Sequence, residues 1–305
     1  MVTFVEGPVG VSVPATSANL GPGFDSLGLA LGLRDELEAE VLGPGAGLVV
    51  EVEGAGAEDV PRDESHLVVR SMRRAFELLG GQPAGLRLSC RNVVPHARGL
   101  GSSSAAIVAG VVLARALVAG GELLVDDDAL LRLAAEIEGH PDNVAPALLG
   151  GFTISGQEHG AFYAVSAPVD PRIGAVVLVP PTPVSTEVAR GLLPATVPHA
   201  DAAADAGRAA LLVAALGGRP EHLLLATRDY LHQDYRRPAM PESADLVAAL
   251  RADGVPAVIS GAGPTVLALV DGPDGATTRA VLARTPEGWW SSYLPVDTAG
   301  ATVRA

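Results

Sequence analysis

Pro95-His-Ala-Arg-Gly-Leu-Gly-Ser-Ser-Ser-Ala105 runs directly into the apolar stretch Ala106-Ile-Val-Ala-Gly-Val-Val-Leu-Ala114. Gly99 and Gly101 permit backbone angles that other residues resist, and Ser102, Ser103 and Ser104 can cap the helix that the apolar run would form. The first amides of such a helix lack internal acceptors and lie at the positive end of its dipole, so the turn suits a phosphate. A capped core helix after a glycine turn would use the same residues; three successive serines favour the anion cradle. The P-loop signature is excluded, because all 21 basic residues are arginine and Gly-Lys-Ser/Thr occurs nowhere. Upstream, Leu86 to Val94 reads as a strand, which supplies the strand, turn and helix order that a cradle requires.

The remaining composition narrows what the cradle can serve. At 305 residues the chain is long enough for about two domains, and 48% hydrophobic content with 18% charge supports a sizeable core. A net charge of −14 argues against nucleic acid or an anionic membrane as partner. A bound phosphate therefore needs local help from helix amides, a few arginines and a divalent cation. Cys90 is the single cysteine, which excludes an intrachain disulfide and fits a reducing, cytoplasmic setting. The N-terminus has no secretory pattern, and the longest apolar run, Ala105 to Gly120, is shorter than the roughly 20 residues that span a bilayer.

Taken in order, Gly10 to Pro14 reads as a strand leading into an irregular loop, Ala15 to Gly28, where Asn19 and Asp25 flank Gly21-Pro-Gly23. These two residues either face a small polar ligand or simply form turns. Ser65 reads as the cap of a helix carrying Val68, Val69, Met72, Ala75, Phe76 and Leu79 to a stop at Gly80-Gly81. Asp126-Asp-Asp128 opens a second helix that ends at Glu136-Ile-Glu-Gly-His-Pro-Asp-Asn143. Glu136 and Glu138 point to different faces; Glu138, at the glycine break, is the better placed to bind Mg²⁺ beside the serine loop. Ala167-Pro-Val-Asp-Pro171 marks a boundary, placing one domain at 1–165 and another at 166–305. Beyond it come a strand at Ile173 to Val179, helices at Ala202–Leu216, Glu221–His232 and Ala244–Arg251, two strands about Ser260-Gly-Ala-Gly-Pro264, a short helix at Ala280–Leu282 and a strand at Ser291–Val296. Strands and helices in no strict alternation indicate an α+β fold.

Pro14-Ala-Thr-Ser-Ala-Asn-Leu-Gly-Pro-Gly-Phe-Asp-Ser-Leu-Gly28, the Pro95–Ala105 loop and Ser260-Gly-Ala-Gly-Pro-Thr265, in that order, resemble the GHMP kinase superfamily. The first of these and Gly139-His-Pro-Asp-Asn-Val-Ala-Pro146 resemble in particular its homoserine kinase branch. The resemblance implies a two-domain GHMP kinase fold: a ribosomal protein S5 domain 2-like N-terminal domain and a ferredoxin-like C-terminal domain, with the site between them. It implies transfer of a phosphoryl group from ATP to the hydroxyl of L-homoserine, with Mg²⁺, on the route to threonine. The alternatives are a GHMP kinase for another small alcohol and a catalytically silent sensor of the same fold. A homodimer is compatible with this reading.

Residue by residue, the resemblance assigns Pro95, His96, Ala97, Arg98, Gly99, Leu100, Gly101, Ser102, Ser103, Ser104 and Ala105 to ATP, and Ser102 or Ser103 with Glu138 to Mg²⁺. Asp25 would take the substrate ammonium, Arg190 and Arg236 its carboxylate, and Asn19 and Asn143 would orient the reacting hydroxyl. Arg237 competes with Arg236 for that role, Asp142 has no assigned one, and Ser65-His66 stands where the family often carries an asparagine on the adenine side.

Overall fold

The computed structural model describes residues 2–304. Strands β1 (Val9–Asn19), β2 (Gly23–Leu42) and β3 (Leu48–Gly54) precede helix α1 (Leu67–Leu79), strand β4 (Gly85–Asn92) and helix α2 (Ser102–Ala116). The short α3 (Gly121–Leu124) leads to α4 (Asp127–Glu138) and α5 (Val144–Leu149), followed by strands β5 (Phe152–Glu158) and β6 (Ala161–Ala167). Then come β7 (Ile173–Val179), α6 (Thr186–Gly191), α7 (His199–Leu216), α8 (Leu223–Ala226), α9 (Gln233–Arg236) and α10 (Pro241–Ala252). Strands β8 (Ala257–Ile259) and β9 (Val266–Asp271), helix α11 (Ala276–Leu282) and strands β10 (Trp290–Pro295) and β11 (Thr302–Arg304) complete the chain.

Two sheets carry these elements. The first runs β11-β1-β2-β4-β3, with β5 and β6 branching from β2; β3 and β4 are parallel and the other pairs antiparallel. The second runs β10-β7-β9-β8 and is antiparallel throughout. Helix α1 lays Val69, Met72 and Phe76 on the first sheet and stops at Gly80, whose φ of 88° no β-carbon would favour. Helix α2 is buried almost all round from Ser104 to Ala114, which is why its sequence is apolar without an amphipathic stripe.

The side chains of β7 explain how the sheets join. Ile173, Ala175, Val177 and Val179 face a cluster shared with Leu20, Leu29 and Leu31 of the first sheet. The alternate residues Val176 and Leu178 face α10 and α11 through Val247, Leu250 and Val281. A strand covered on both faces needs a continuous apolar run, and this one has it.

Several local expectations change. Ala15 to Asn19 is strand, not loop, because β1 continues to Asn19 and pairs with β2 as far as Gly23. Ser65 does not cap α1; the cap position is His66 with no side-chain bond, and the Ser65 hydroxyl turns to Asp63. The helix expected over Glu221–His232 is broken, since Asp229 accepts the amides of Leu231, His232 and Gln233 and starts a new turn there. Strand β11 pairs with β1, so the first sheet also draws on the end of the chain.

Candidate active site

Three glycine-rich stretches, far apart in sequence, close around one cavity of about 320 Å³. At the β1–β2 turn Asn19, Leu20 and Asp25 take φ of 68, 52 and 54°, in the left-handed region. The Asn19 amide holds this turn: its Nδ2 donates to the Gly261 carbonyl and its Oδ1 accepts the Asp25 N–H, both at 2.9 Å. In the second stretch Gly99 and Gly101 have φ of 75 and 70°. A β-carbon at Gly99 would overlap the Ser260 and Gly263 carbonyls, and one at Gly101 would overlap Thr16 Oγ1. The third stretch seats the second: Ser260 Oγ donates to the Gly99 carbonyl at 2.6 Å, with Ser17 Oγ 2.8 Å away, and the Gly261 N–H donates to the Ala18 carbonyl at 3.1 Å.

The serines do something other than cap. Gly101 is the cap residue of α2, and its missing side chain makes no cap bond there. Ser103 and Ser104 instead donate their hydroxyls to Glu138 Oε1, at 2.6 and 2.8 Å, which draws the end of α4 onto the start of α2. Among the described residues no side chain caps the first α2 amides. Ala97, Arg98, Gly99, Gly101, Ser102 and Ser103 line the cavity with Glu138. Leu100, Ser104 and Ala105 are buried, Leu100 in the cluster between the sheets and Ala105 in the first-sheet core. Arg98 is a brace, because its guanidinium donates to the carbonyls of His96, Pro180 and Pro181. Glu136 faces a different surface hollow, beside Arg70 and Arg73.

The opposite wall carries charge. Arg190 forms a two-pronged pair with Asp25, Nη2 to Oδ1 at 2.8 Å and Nη1 to Oδ2 at 3.0 Å, and that bond to Asp25 raises the guanidinium above the usual arginine range. Arg236 lines the same wall but is 2% exposed, donating to the Ala189 and Gly261 carbonyls and to His232 Nδ1. Burial, and then repulsion from Arg190, pushes its guanidinium down. Arg237 lies outside, paired with Asp245 at the surface. His232 Nε2 bonds the Gly21 carbonyl at 2.8 Å while Nδ1 accepts from Arg236, so the ring is a neutral spacer; burial pushes it down further. Phe24 stacks between, its ring 5.3 Å from the Arg236 guanidinium carbon and 5.8 Å from that of Arg190.

Between the two walls, Thr16 Oγ1 donates to Asn143 Oδ1 at 2.8 Å, and His140 Nδ1 meets Asp142 Oδ1 at 2.7 Å. Burial opposes charging His140, but the bond to Asp142 and the charges of Asp142 and Glu138 outweigh it and raise the imidazole. A second cavity of about 250 Å³ adjoins the first through Ser102 and Ser103 and is lined by Pro61, Leu67, Cys90, His66 and His96. There His66 Nδ1 is buried without a hydrogen-bond partner among the described residues, and burial pushes that imidazole down. Burial also pushes the Cys90 thiol up to about 12.

Comparison with known proteins matches this geometry to a family. Residues 66–151 match the GHMP kinases N terminal domain and residues 209–285 the GHMP kinases C terminal domain. A homoserine kinase of Streptomyces coelicolor is 61% identical over 98% of this chain and 96% of its own length. The chain belongs to the homoserine kinase family of the GHMP kinases. Another homoserine kinase, of Streptomyces avermitilis, is 60% identical over 98% of this chain and 97% of its own. The crystal structure of homoserine kinase from Cytophaga hutchinsonii superposes with a TM-score of 0.83 at 28% identity, covering 100% of this chain and 99% of that one.

Within this homoserine kinase fold, the sequence did not point to Phe24, His232 or Asp229. A signal for Phe24 was its place just after Gly21-Pro-Gly23; for Asp229 and His232 it was weaker, an aspartate four residues before Gln233 in what read as continuous helix.

Proposed function

We propose that the cleft aligns the γ-phosphoryl group of ATP with the side-chain hydroxyl of L-homoserine and forms O-phospho-L-homoserine, a step toward threonine. The observation that carries this reading is the polarity of one cavity: uncapped α2 amides and Glu138 at one end, Asp25, Arg190 and Arg236 at the other. Residues 1–165, with β11 added, make the ATP-binding half and 166–305 the ferredoxin-like half. The α2 amides hold the phosphates, and the adjoining apolar cavity takes the base, since it opens onto the phosphate loop through Ser102 and Ser103. Asp25 receives the substrate ammonium, Arg190 and Arg236 its carboxylate, and Asn19 and Asn143 position the hydroxyl.

The donor set at Glu138 fits Mg²⁺. It consists of a carboxylate and neighbouring hydroxyls, and Mg²⁺ in such sites takes one or two carboxylates together with phosphate oxygens and water. Glu138 with Ser102 or Ser103 would hold the ion, which when bound would neutralise phosphate charge. The protein contributes chiefly alignment, because the transition state of phosphoryl transfer is loose and asks little activation of the attacking hydroxyl. The His140–Asp142 pair lies close to Glu138, and the bond to Asp142 with the charges of Asp142 and Glu138 raises the imidazole. ADP release coupled to an optical readout, measured with homoserine, mevalonate, galactose and shikimate in turn, tests the reading. Homoserine should be preferred by orders of magnitude, and a preference for any other alcohol would overturn it.

A further inference from the structure

Asp25 and Arg190 are bound to each other inside the cavity to which both belong. Both side chains are a little over a third exposed, at 38 and 37%, so the pair stands within reach of a ligand. Each is also held from behind. Asp25 is fixed through its N–H to Asn19, and Arg190 follows Ala189, whose carbonyl accepts from Arg236. Arg236 touches only neutral partners, two carbonyls, the neutral His232 and the Phe24 ring. If Asp25 loses Arg190, no second cation among the described residues bonds it in its place.

We propose that the Asp25–Arg190 pair is a self-complementary lock, which a ligand opens without loss only if it brings both an ammonium and a carboxylate. The proposal rests on the homoserine reading of the site and gives it a selection rule. A zwitterion offers each member of the pair a replacement, so two ion pairs succeed one. A monoanion takes Arg190 and strands the Asp25 carboxylate; a monocation takes Asp25 and strands Arg190 beside Arg236, a like charge. Singly charged alcohols of the same length therefore bear a penalty beyond the bond they cannot make, because they break the Asp25–Arg190 pair and give a new partner to only one of its members.

Independent contacts and a lock differ in the sign of one measurement. For independent contacts, Asp25→Asn weakens homoserine and leaves its deamino analogue, γ-hydroxybutyrate, untouched. For a lock, the same substitution frees Arg190, so γ-hydroxybutyrate should bind about tenfold better than to the wild type while homoserine binds worse. The gain should vanish when Arg190→Met is added, whereas a general Coulomb benefit from deleting a negative charge would persist. Arg190→Met alone should in turn improve binding of the decarboxylated analogue, an aminopropanol, which keeps the test alive if Asp25→Asn does not fold. Calorimetric titration of each ligand, with retained Mg·ATP binding as the check of folding, reads all of these. Unchanged or weaker binding of both analogues to the released partners, or a gain that survives in the double variant, overturns the lock. A wild type that binds neither homoserine nor either analogue overturns instead the homoserine reading beneath it.

Discussion

Glu138 carries the weight of the proposed phosphate end, since among the described residues its carboxylate is what hydrogen-bonds α4 to the serines at the start of α2. Glu138→Ala should lower turnover about a hundredfold, the usual cost of a lost transition-state contact worth roughly 3 kcal/mol, while the fold is retained. Glu136→Ala is the matched control, because that side chain faces a different hollow and should leave turnover near wild type. Steady-state kinetics at saturating ATP distinguish them, and a normal Glu138→Ala enzyme would remove the metal assignment. That the two glutamates face different ways, with Glu138 toward the serine loop, was legible from the sequence, because residues two apart on a helix diverge and only Glu138 adjoins the glycine break. The choice between Arg236 and Arg237 was not. Both are arginines at the end of a short helix, and what separates them is tertiary: Arg236 donates to the Ala189 and Gly261 carbonyls, whereas Arg237 pairs with Asp245 at the surface.

At the scale of elements, the loop from Pro95 to Gly101 and the turn at Ser260–Pro264 work as one part, held by Ser260 on Gly99 and by the Thr265 N–H on the Arg98 carbonyl. Gly101→Ala should therefore damage phosphate binding more than global stability. The new methyl meets Thr16 Oγ1, which orients Asn143, at a φ of 70° that itself costs about 1 kcal/mol for a residue with a β-carbon. Mg·ATP affinity measured by titration should fall at least tenfold, with a thermal midpoint lowered only slightly; unimpaired ATP binding would show that the loop is not the cradle. The sequence conveyed the order strand, glycine turn and helix, because each step has local chemistry. It failed where pairing partners decide: Ala15 to Asn19 carries turn-prone residues yet is strand because β2 lies alongside, and Thr302–Arg304 becomes strand only through β1. The serines misled for a related reason: the cap position falls on Gly101, so Ser102 to Ser104 lie inside the first turn of α2, where Ser103 and Ser104 donate to Glu138 of another helix.

On the scale of the whole molecule, the loop that delivers His232 and Arg236 is pinned between two carboxylates, Asp229 within it and Asp205 on α7, whose Oδ1 accepts the Tyr230 N–H at 3.0 Å. Asp205 is 2% exposed and makes no ion pair among the described residues, and burial, reinforced by the Asp229 charge, pushes its carboxyl up to about 6. A carboxyl raised in the folded state favours folding fully below its ordinary value of 3.8, and that contribution is lost as pH rises through about 6. At 1.36 kcal/mol per unit, the protein thus carries a burden of up to about 3 kcal/mol at neutral pH that is absent near pH 4. Asp205→Asn keeps the acceptor for the Tyr230 N–H and removes the charge, so it should raise the unfolding midpoint at pH 7.5 and leave it nearly unchanged at pH 4. Denaturant titrations of both proteins at the two pH values measure the difference directly. The burden also has a place in the architecture: Asp205 ties α7 to the loop carrying Arg236, so the variant should tighten the cleft wall without touching the ligand. An equal stability difference at both pH values would mean that Asp205 acts through shape or hydrogen bonding and that its charge is not what the fold is carrying.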